Sequence, residues 1–286
     1  MSSSLLASRL EVLAAAALFS TGGAAIKATS LTGWQTACFR SCVAAAVLLL
    51  LLPQARRGWS WRAAVVGVAY AGTLILFVLA NKNTTSANAI FLQSAGPLYL
   101  IFIGPWILKE HTRREDYAFL ALMAIGLVLF FLSSEAPQST APNPALGNVL
   151  GAFCGLSWAF TVTGLRWFSR EEPGGSIKTV AIGNLMVCAA ALPGAVSAPV
   201  SLLARDAAII GYLGVFQIGL AYWLVTRGVS RLPALETSML ILLEPALNPV
   251  WSWMVHGERP SGLAVAGGVC ILSATAGMVL AGRKRT

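Results

Sequence analysis

The chain has 286 residues, of which 57% are hydrophobic and 11% charged, and its mean hydropathy is +0.73. A soluble domain is nearer a quarter charged, so this composition excludes a soluble enzyme, a disordered chain and a secreted disulfide scaffold. The net charge of +9 would suit nucleic acid only if the basic residues gathered on one soluble face, and here they punctuate apolar runs.

A bilayer core needs roughly 20 apolar residues per helix. Taken in order, ten stretches qualify: 8–28, 33–52, 60–80, 84–107, 116–133, 145–168, 177–198, 206–227, 232–255 and 261–281. Stretches 44–52 and 120–132 are apolar all round, which suits spanning helices and not the alternating strands of a barrel. The predicted fold class is an all-α membrane protein of ten transmembrane helices, arranged as two inverted five-helix repeats.

Lys and Arg in the connections set orientation. With cytoplasmic termini, the inside connections carry Arg9, Arg56, Arg57, Arg62, Lys109, Arg113, Arg114, Arg166, Arg170, Lys178, Arg227, Arg231, Arg283, Lys284 and Arg285. The outside ones carry Lys27, Lys82, Arg205 and Arg259, and Arg40 lies within a span. This alternation predicts a multi-pass protein of the bacterial inner (plasma) membrane with N- and C-termini inside. The five cysteines, Cys38, Cys42, Cys154, Cys188 and Cys270, all fall within spans and read as small apolar packing residues, with no disulfide expected.

The most loop-like stretch, 133–147, is rich in Pro, Ser, Thr and Ala and has no Lys or Arg. It separates a first repeat, 1–133, from a second, 147–286, with 134–146 as an extracytoplasmic linker. Five spans on each side force the second half to enter from the opposite face, the layout of an inverted transporter repeat. A shift of 148 residues lays 84–110 on 232–258, matching Leu92 with Leu240, Pro97 with Pro245 and Glu110 with Glu258. Both stretches carry a mid-span proline followed by a terminal glutamate.

This count, the two halves and the proline-to-glutamate pattern resemble the drug/metabolite transporter superfamily of the EamA type. The entries Ser86-Ala87-Asn88-Ala89 and Leu235-Glu236-Thr237-Ser238, with Ser157-Trp158 in the sixth span, fit it. Glu236 and Glu244 depart from it, standing where the family usually has small or apolar residues. Within the family the chain is most similar to the YddG-like amino-acid exporters. The resemblance implies export of amino acids, metabolites or drugs, or carriage of sugar phosphates and nucleotide sugars.

In such a transporter the substrate sits near the midplane, at interrupted helices. Interruptions are expected at Ala95-Gly96-Pro97 and Gly104-Pro105 in the fourth span and at Glu244-Pro245 and Asn248-Pro249 in the ninth, because proline frees a carbonyl one turn earlier. Glu244 is mid-span, where a carboxylate costs about 2.5–3.5 kcal/mol; Asn248 and Trp251 share its face. With Arg40 it either reads the two charged ends of an amino acid or forms an ion pair between helices, and for Arg40 the ion pair is the preferred reading. In the fourth span Asn88, Phe91, Ala95, Tyr99 and Phe102 share one face. In the sixth, Ser157, Trp158 and Thr161 stand at midplane, Trp158 far from the interfacial belts that Trp favours. The candidate substrate-binding residues are therefore Trp158, Tyr99, Glu244, Asn248, Asn88 and Ser157, with Gln217, Tyr222 and Trp223 as weaker wall candidates. Trp34, Trp59, Trp61, Trp106, Trp167 and Trp253 lie near span ends and read as anchors. Gly147, Gly151 and Gly155 form a small-residue face for close helix packing.

The two histidines, His111 and His256, lie at span ends, and no H-E-x-x-H, G-x-S-x-G or Walker sequence occurs, so no enzymatic activity is expected. The sequence calls for no cofactor, metal or nucleic acid; its partners are a small-molecule substrate and the lipid bilayer, with the monomer as the working unit. The function expected is export of small amphipathic metabolites, chiefly aromatic or other apolar amino acids, by alternating access. Broad drug efflux or a sugar-phosphate carrier is the rival within transport, the latter disfavoured because only Arg40 lies at depth. A channel or a membrane scaffold is the rival from another class.

Overall fold

A computed structural model describes residues 3–96, 98–99, 103, 116–132, 137–171, 175–201, 203–229 and 240–283. The helices are α1 (Ser3–Ser20), α2 (Gly22–Ala28), α3 (Gly33–Leu51), α4 (Trp61–Asn83), α5 (Ser86–Ser94), α6 (Asp116–Leu132), α7 (Pro144–Glu171), α8 (Gly175–Val196), α9 (Ala204–Tyr212), α10 (Ala221–Val229), α11 (Leu243–His256) and α12 (Gly262–Arg283). A π-helical stretch, Leu213–Leu220, joins α9 to α10. These follow the ten predicted spans: α1 and α2 make segment 1, and α3, α4, α6, α7, α8 and α12 make segments 2, 3, 5, 6, 7 and 10. Segment 4 begins with α5, α9 to α10 make segment 8, and α11 is the second half of segment 9. Six segments are long and apolar enough to cross a membrane, and apolar helices Tyr117–Leu129 and Gly262–Ala274 add two shorter ones. Segments 4 and 9 run partly through residues outside those described.

Local chemistry fixes several ends. Thr32 and Gln35 form a reciprocal capping box at the start of α3, satisfying two orphan backbone donors. Ser60 and Thr85 cap α4 and α5 through the N–H groups of Ala63 and Asn88. α11 stops at Gly257, whose φ of 69° is left-handed and costs glycine nothing.

The packing has a two-fold pattern. Segment 3 lies on 6 as 8 lies on 1, segment 3 on 7 as 8 on 2, and segment 4 on 6 as 9 on 1. The pairs 2–7, 4–9 and 5–10 meet across the axis. Exchanging each segment with the one five later leaves this set unchanged. Because five passes reverse direction, corresponding segments run oppositely, and the bundle is two inverted five-helix repeats.

The bundle sets buried polar groups within an apolar core and turns large apolar side chains outward. Arg40, Asn81, Asn88, Asn148, Asn184 and Gln35 are buried, while Leu50, Leu51, Val65, Val68, Phe131, Leu132, Phe153 and Val196 are exposed. Such apolar exposure suits hydrocarbon, and interior polar groups can then bond only to one another or to cavity water. Of the anchor tryptophans, Trp34, Trp59, Trp61 and Trp253 are exposed at segment ends, and Trp106 lies outside the described residues.

The glycine face of α7 lets segment 6 approach segment 4. A Cβ at Gly147 would stand 2.5 Å from the backbone nitrogen of Thr84, and one at Gly155 2.7 Å from the Leu92 carbonyl. At Gly151 it would meet only the Leu92 side chain, at 3.1 Å. Gly147→Ala should therefore lower the thermal midpoint of the detergent-solubilised protein by the equivalent of about 1–3 kcal/mol, and Gly151→Ala by clearly less. Equal shifts would contradict this packing.

One expectation is corrected. Cys42 of α3 and Cys188 of α8 form a disulfide, with 5.6 Å between their Cα atoms, and the Cys38 sulfur lies 4.0 Å from that of Cys188. Cys38 and Cys42, one helical turn apart, face segment 7 across the two-fold axis, a juxtaposition that 146 residues of intervening chain conceal. Alkylation of the denatured, unreduced protein should label the three free cysteines, Cys38, Cys154 and Cys270, and reduction should raise the count to five.

Candidate functional site

Arg40 enters the bundle about 10 Å below the start of α3 by helix rise. It is wholly buried. Its guanidinium donates to the Leu74 carbonyl at 3.1 Å and to Gln217 Oε1 at 3.5 Å, and its Nε has no partner. Gln217 sits in the π-helical stretch of segment 8, a distortion often found at functional sites. Beside it, Tyr70 accepts a hydrogen bond from Asn184 Nδ2 at 3.0 Å. Tyr70 also packs edge-on against Tyr222 at 5.3 Å, and Tyr222 against Phe19 at 5.0 Å.

Glu244 approaches the same centre from segment 9, about 18 Å below the end of α11. α11 begins at Leu243, so Glu244 lies in its first turn, where the helix dipole favours a carboxylate. One of the two expected interruptions is present but sits ahead of Pro245, because proline is tolerated in a first turn where its missing N–H is not needed; the one expected at Asn248-Pro249 is absent, since α11 runs through Pro249. In segment 4, α5 ends at Ser94 and the chain turns at Ala95. Segment 1 also breaks, at Thr21, whose hydroxyl bonds the Leu18 carbonyl and the Tyr212 hydroxyl. Trp251 Nε1 donates to Ser20 beside that break.

Arg40 and Glu244 do not form an ion pair, which corrects the reading preferred from sequence. Among the described residues Glu244 has no hydrogen-bond partner, yet it is near enough to act electrostatically on Tyr222 and Cys154. Arg40 acts on the same two groups and on Tyr70. Both groups thus lie within electrostatic range of Tyr222 and Cys154 without touching each other. A carboxylate at depth without a partner is costly, and that cost falls only when a cation, a proton or cavity water reaches it.

Residues 8–132 and 145–280 each match the EamA-like transporter family. The chain belongs to that family. It is 28% identical over 221 residues to the threonine/homoserine exporter RhtA of Salmonella typhimurium LT2, covering 76% of this chain and 70% of the relative. RhtA of Escherichia coli K12 is 27% identical over 223 residues, 77% of this chain and 71% of its own. The pseudopaline exporter CntI of Pseudomonas aeruginosa PAO1 is 25% identical over 263 residues, 90% of each chain. A crystal structure matches 98% of this chain and 99% of its own with a TM-score of 0.65 at 18% identity, which shows the shared fold.

Within this EamA-like bundle the sequence candidates separate. Trp158 lies against Gly96 at the segment 4 interruption, where a Cβ would be 3.1 Å from its ring, and it is only half-buried. Ser157 is spent on the Ala69 carbonyl at 2.9 Å, and Thr161 on Thr73 and the Ser157 carbonyl. Tyr99 donates to the Ala152 carbonyl at 2.9 Å, tying segment 4 to segment 6. Asn88 donates to Asn148 at 3.2 Å and Thr84 at 3.4 Å near the linker end of the bundle, and its Oδ1 is unpartnered. Phe91 of the same predicted face packs on Gly268 of segment 10, so that face is divided between neighbours. Asn248 is buried toward the linker end with neither amide atom partnered. Phe102, Pro97, Gly104, Pro105, Glu110 and Glu236 lie outside the described residues.

Sequence reasoning passed over Tyr70, Asn184, Asn81 and Lys27. Asn81 and Asn184 carried a usable signal, an amide inside an apolar run. Lys27 was placed in an outside loop because it ends a span, whereas its side chain is buried.

Proposed function

We propose that this EamA-like transporter exports α-amino acids with apolar or weakly polar side chains, by alternating access, from a central site between Arg40 and Glu244. The protein is a multi-pass membrane exporter of small metabolites; the substrate class, direction and site residues are our reading. It rests above all on the two opposite charges that do not pair. A zwitterion carries the two charges that complement them, its carboxylate toward Arg40 and its ammonium toward Glu244. Arg presents a planar fork that matches a carboxylate, and Tyr222, Phe19 and Trp158 offer apolar surface to the side chain. RhtA, named as a threonine/homoserine exporter, supports the amino-acid class.

In this reading the repeats 1–133 and 147–286, joined by the 134–146 linker, work together within a monomer in the inner membrane. The N- and C-termini lie in the cytoplasm and the linker outside. The Cys42–Cys188 bond joins segments 2 and 7 across the axis, so these stay together while the interrupted segments 4 and 9 bend. Binding and bending do the work, with no covalent chemistry and no cofactor.

The test is counterflow in proteoliposomes loaded with L-threonine, L-homoserine, L-leucine or L-phenylalanine, with each carboxamide as control. Saturable counterflow of amino acids and its loss with the carboxamides are expected. Flux without saturation would make the protein a channel, and drug flux without amino-acid counterflow would replace the substrate class.

A further inference from the structure

Segment 1 ends in a cation sealed from water. Lys27 Nζ lies 2.9 Å from Glu258 Oε1, and the two side chains are 2% and 3% exposed. Lys27 also donates to the carbonyls of Thr84, at 2.7 Å, and of Thr140 in the linker. The second carboxylate oxygen, Oε2, accepts the backbone N–H of Ser86 at 2.9 Å. Ser86 is the first residue of α5, so an ammonium and a helix N-terminus hold one carboxylate between them. Those are the parts from which anion sites are made.

Unused polar atoms lie near Ser86, which this carboxylate holds. Ser86 Oγ, Asn81 Oδ1, Ser252 Oγ and both amide atoms of Asn248 have no partner, and all four residues are buried. Three of these oxygens gather over Gly23, where a Cβ would lie 2.7 Å from Asn248 Oδ1, 2.9 Å from Ser86 Oγ and 3.0 Å from Asn81 Oδ1. Only a glycine leaves them room. Burying a polar group without a partner is unfavourable, and that penalty is removed when a ligand supplies the missing partners.

We propose that Lys27 and the first turn of α5 form an exit subsite for the carboxylate of the departing substrate, filled in this closed state by the carboxylate of Glu258. The amide oxygens of Asn81 and Asn248 and the hydroxyl of Ser86 take the ammonium end. The inference rests on the amino-acid reading above and extends it to a second position on the pathway. Glu258 is then a tethered competitor. When segment 9 swings away, the amino acid replaces it on Lys27; when the amino acid leaves, Glu258 returns and closes the exit. A zwitterion adds no net charge, so the buried lysine keeps one compensating carboxylate in either state.

The test measures inhibition of counterflow by amino acid added at the face carrying the linker, using the same four amino acids and their carboxamides. Glu258→Gln removes the competitor's charge and is expected to strengthen inhibition by the amino acids about tenfold, leaving inhibition by the carboxamides unchanged. Lys27→Met should weaken it at least tenfold, alone or combined with Glu258→Gln. The exchange Lys27→Glu with Glu258→Lys should recover thermal stability and not inhibition. Wild-type inhibition in the exchanged protein, or equal responses to carboxamides, would show a closing latch alone and overturn the subsite. Should Lys27→Met fail to fold, unchanged inhibition in Glu258→Gln overturns it equally. Absence of any amino-acid counterflow in the wild type would instead defeat the amino-acid reading, so the two failures are distinct.

Discussion

Replacing Glu244 with Gln is expected to cut amino-acid counterflow at least tenfold while leaving the protein as stable as the wild type or more so. The carboxylate has no partner among the described residues, and holding a charge at such depth costs about 2.5–3.5 kcal/mol. Its place in the first turn of α11 returns only about 0.3–1 kcal/mol through the helix dipole. The desolvation cost is the larger, so a neutral isostere relieves the fold. Function moves the other way, since Gln offers an ammonium no opposite charge. Counterflow in proteoliposomes and the thermal midpoint in detergent give the two readouts. A variant that loses activity and stability together would make Glu244 a structural residue.

The second large effect is expected at Arg40. Arg40→Leu should weaken the apparent affinity for amino acids between tenfold and a hundredfold, the range of one charge-assisted hydrogen bond of about 1.5–3 kcal/mol. The weak inhibition of counterflow by the carboxamides should be the same in wild type and variant, because the group that Arg40 reads is then absent. This pairing of a protein change with a substrate change isolates one contact. Removing Arg40 also leaves the Leu74 carbonyl and Gln217 without their donor, so the comparison must separate a general loss through misfolding. That loss would fall equally on amino acids and carboxamides, and such a result would reject the assignment.

The proline rule located a break in each of segments 4 and 9 but misjudged their form, and it failed at Pro249, through which α11 runs unbroken. Pro245 pointed to a break within the ninth span, and one exists, but it lies ahead of the proline, which settles into the first turn of a new helix. The break at Thr21 had no proline to announce it, and the π-helical stretch around Gln217 has no local sequence marker. Periodicity likewise placed Asn88, Phe91 and Tyr99 on one face of segment 4. A shared face does not imply a shared neighbour: Asn88 and Tyr99 bond to segment 6, and Phe91 meets segment 10. Glu244 and Arg40 were legible because charges at depth are expensive and rare. Their relation was not, since depth along two helices leaves their rotation about the helix axes undefined.

The sequence by itself determined the ten spans and the division into two inverted halves, because apolar run length and passage number can be read along the chain. Tertiary structure alone decided which interior groups meet. Cys42 with Cys188, Lys27 with Glu258, and Arg40 with Gln217 join residues that lie more than a hundred positions apart. Those meetings depend on how each helix is turned about its axis and which neighbour the two-fold packing gives it. Within a membrane that choice weighs heavily, since lipid offers polar groups no partner and each must find one inside the bundle.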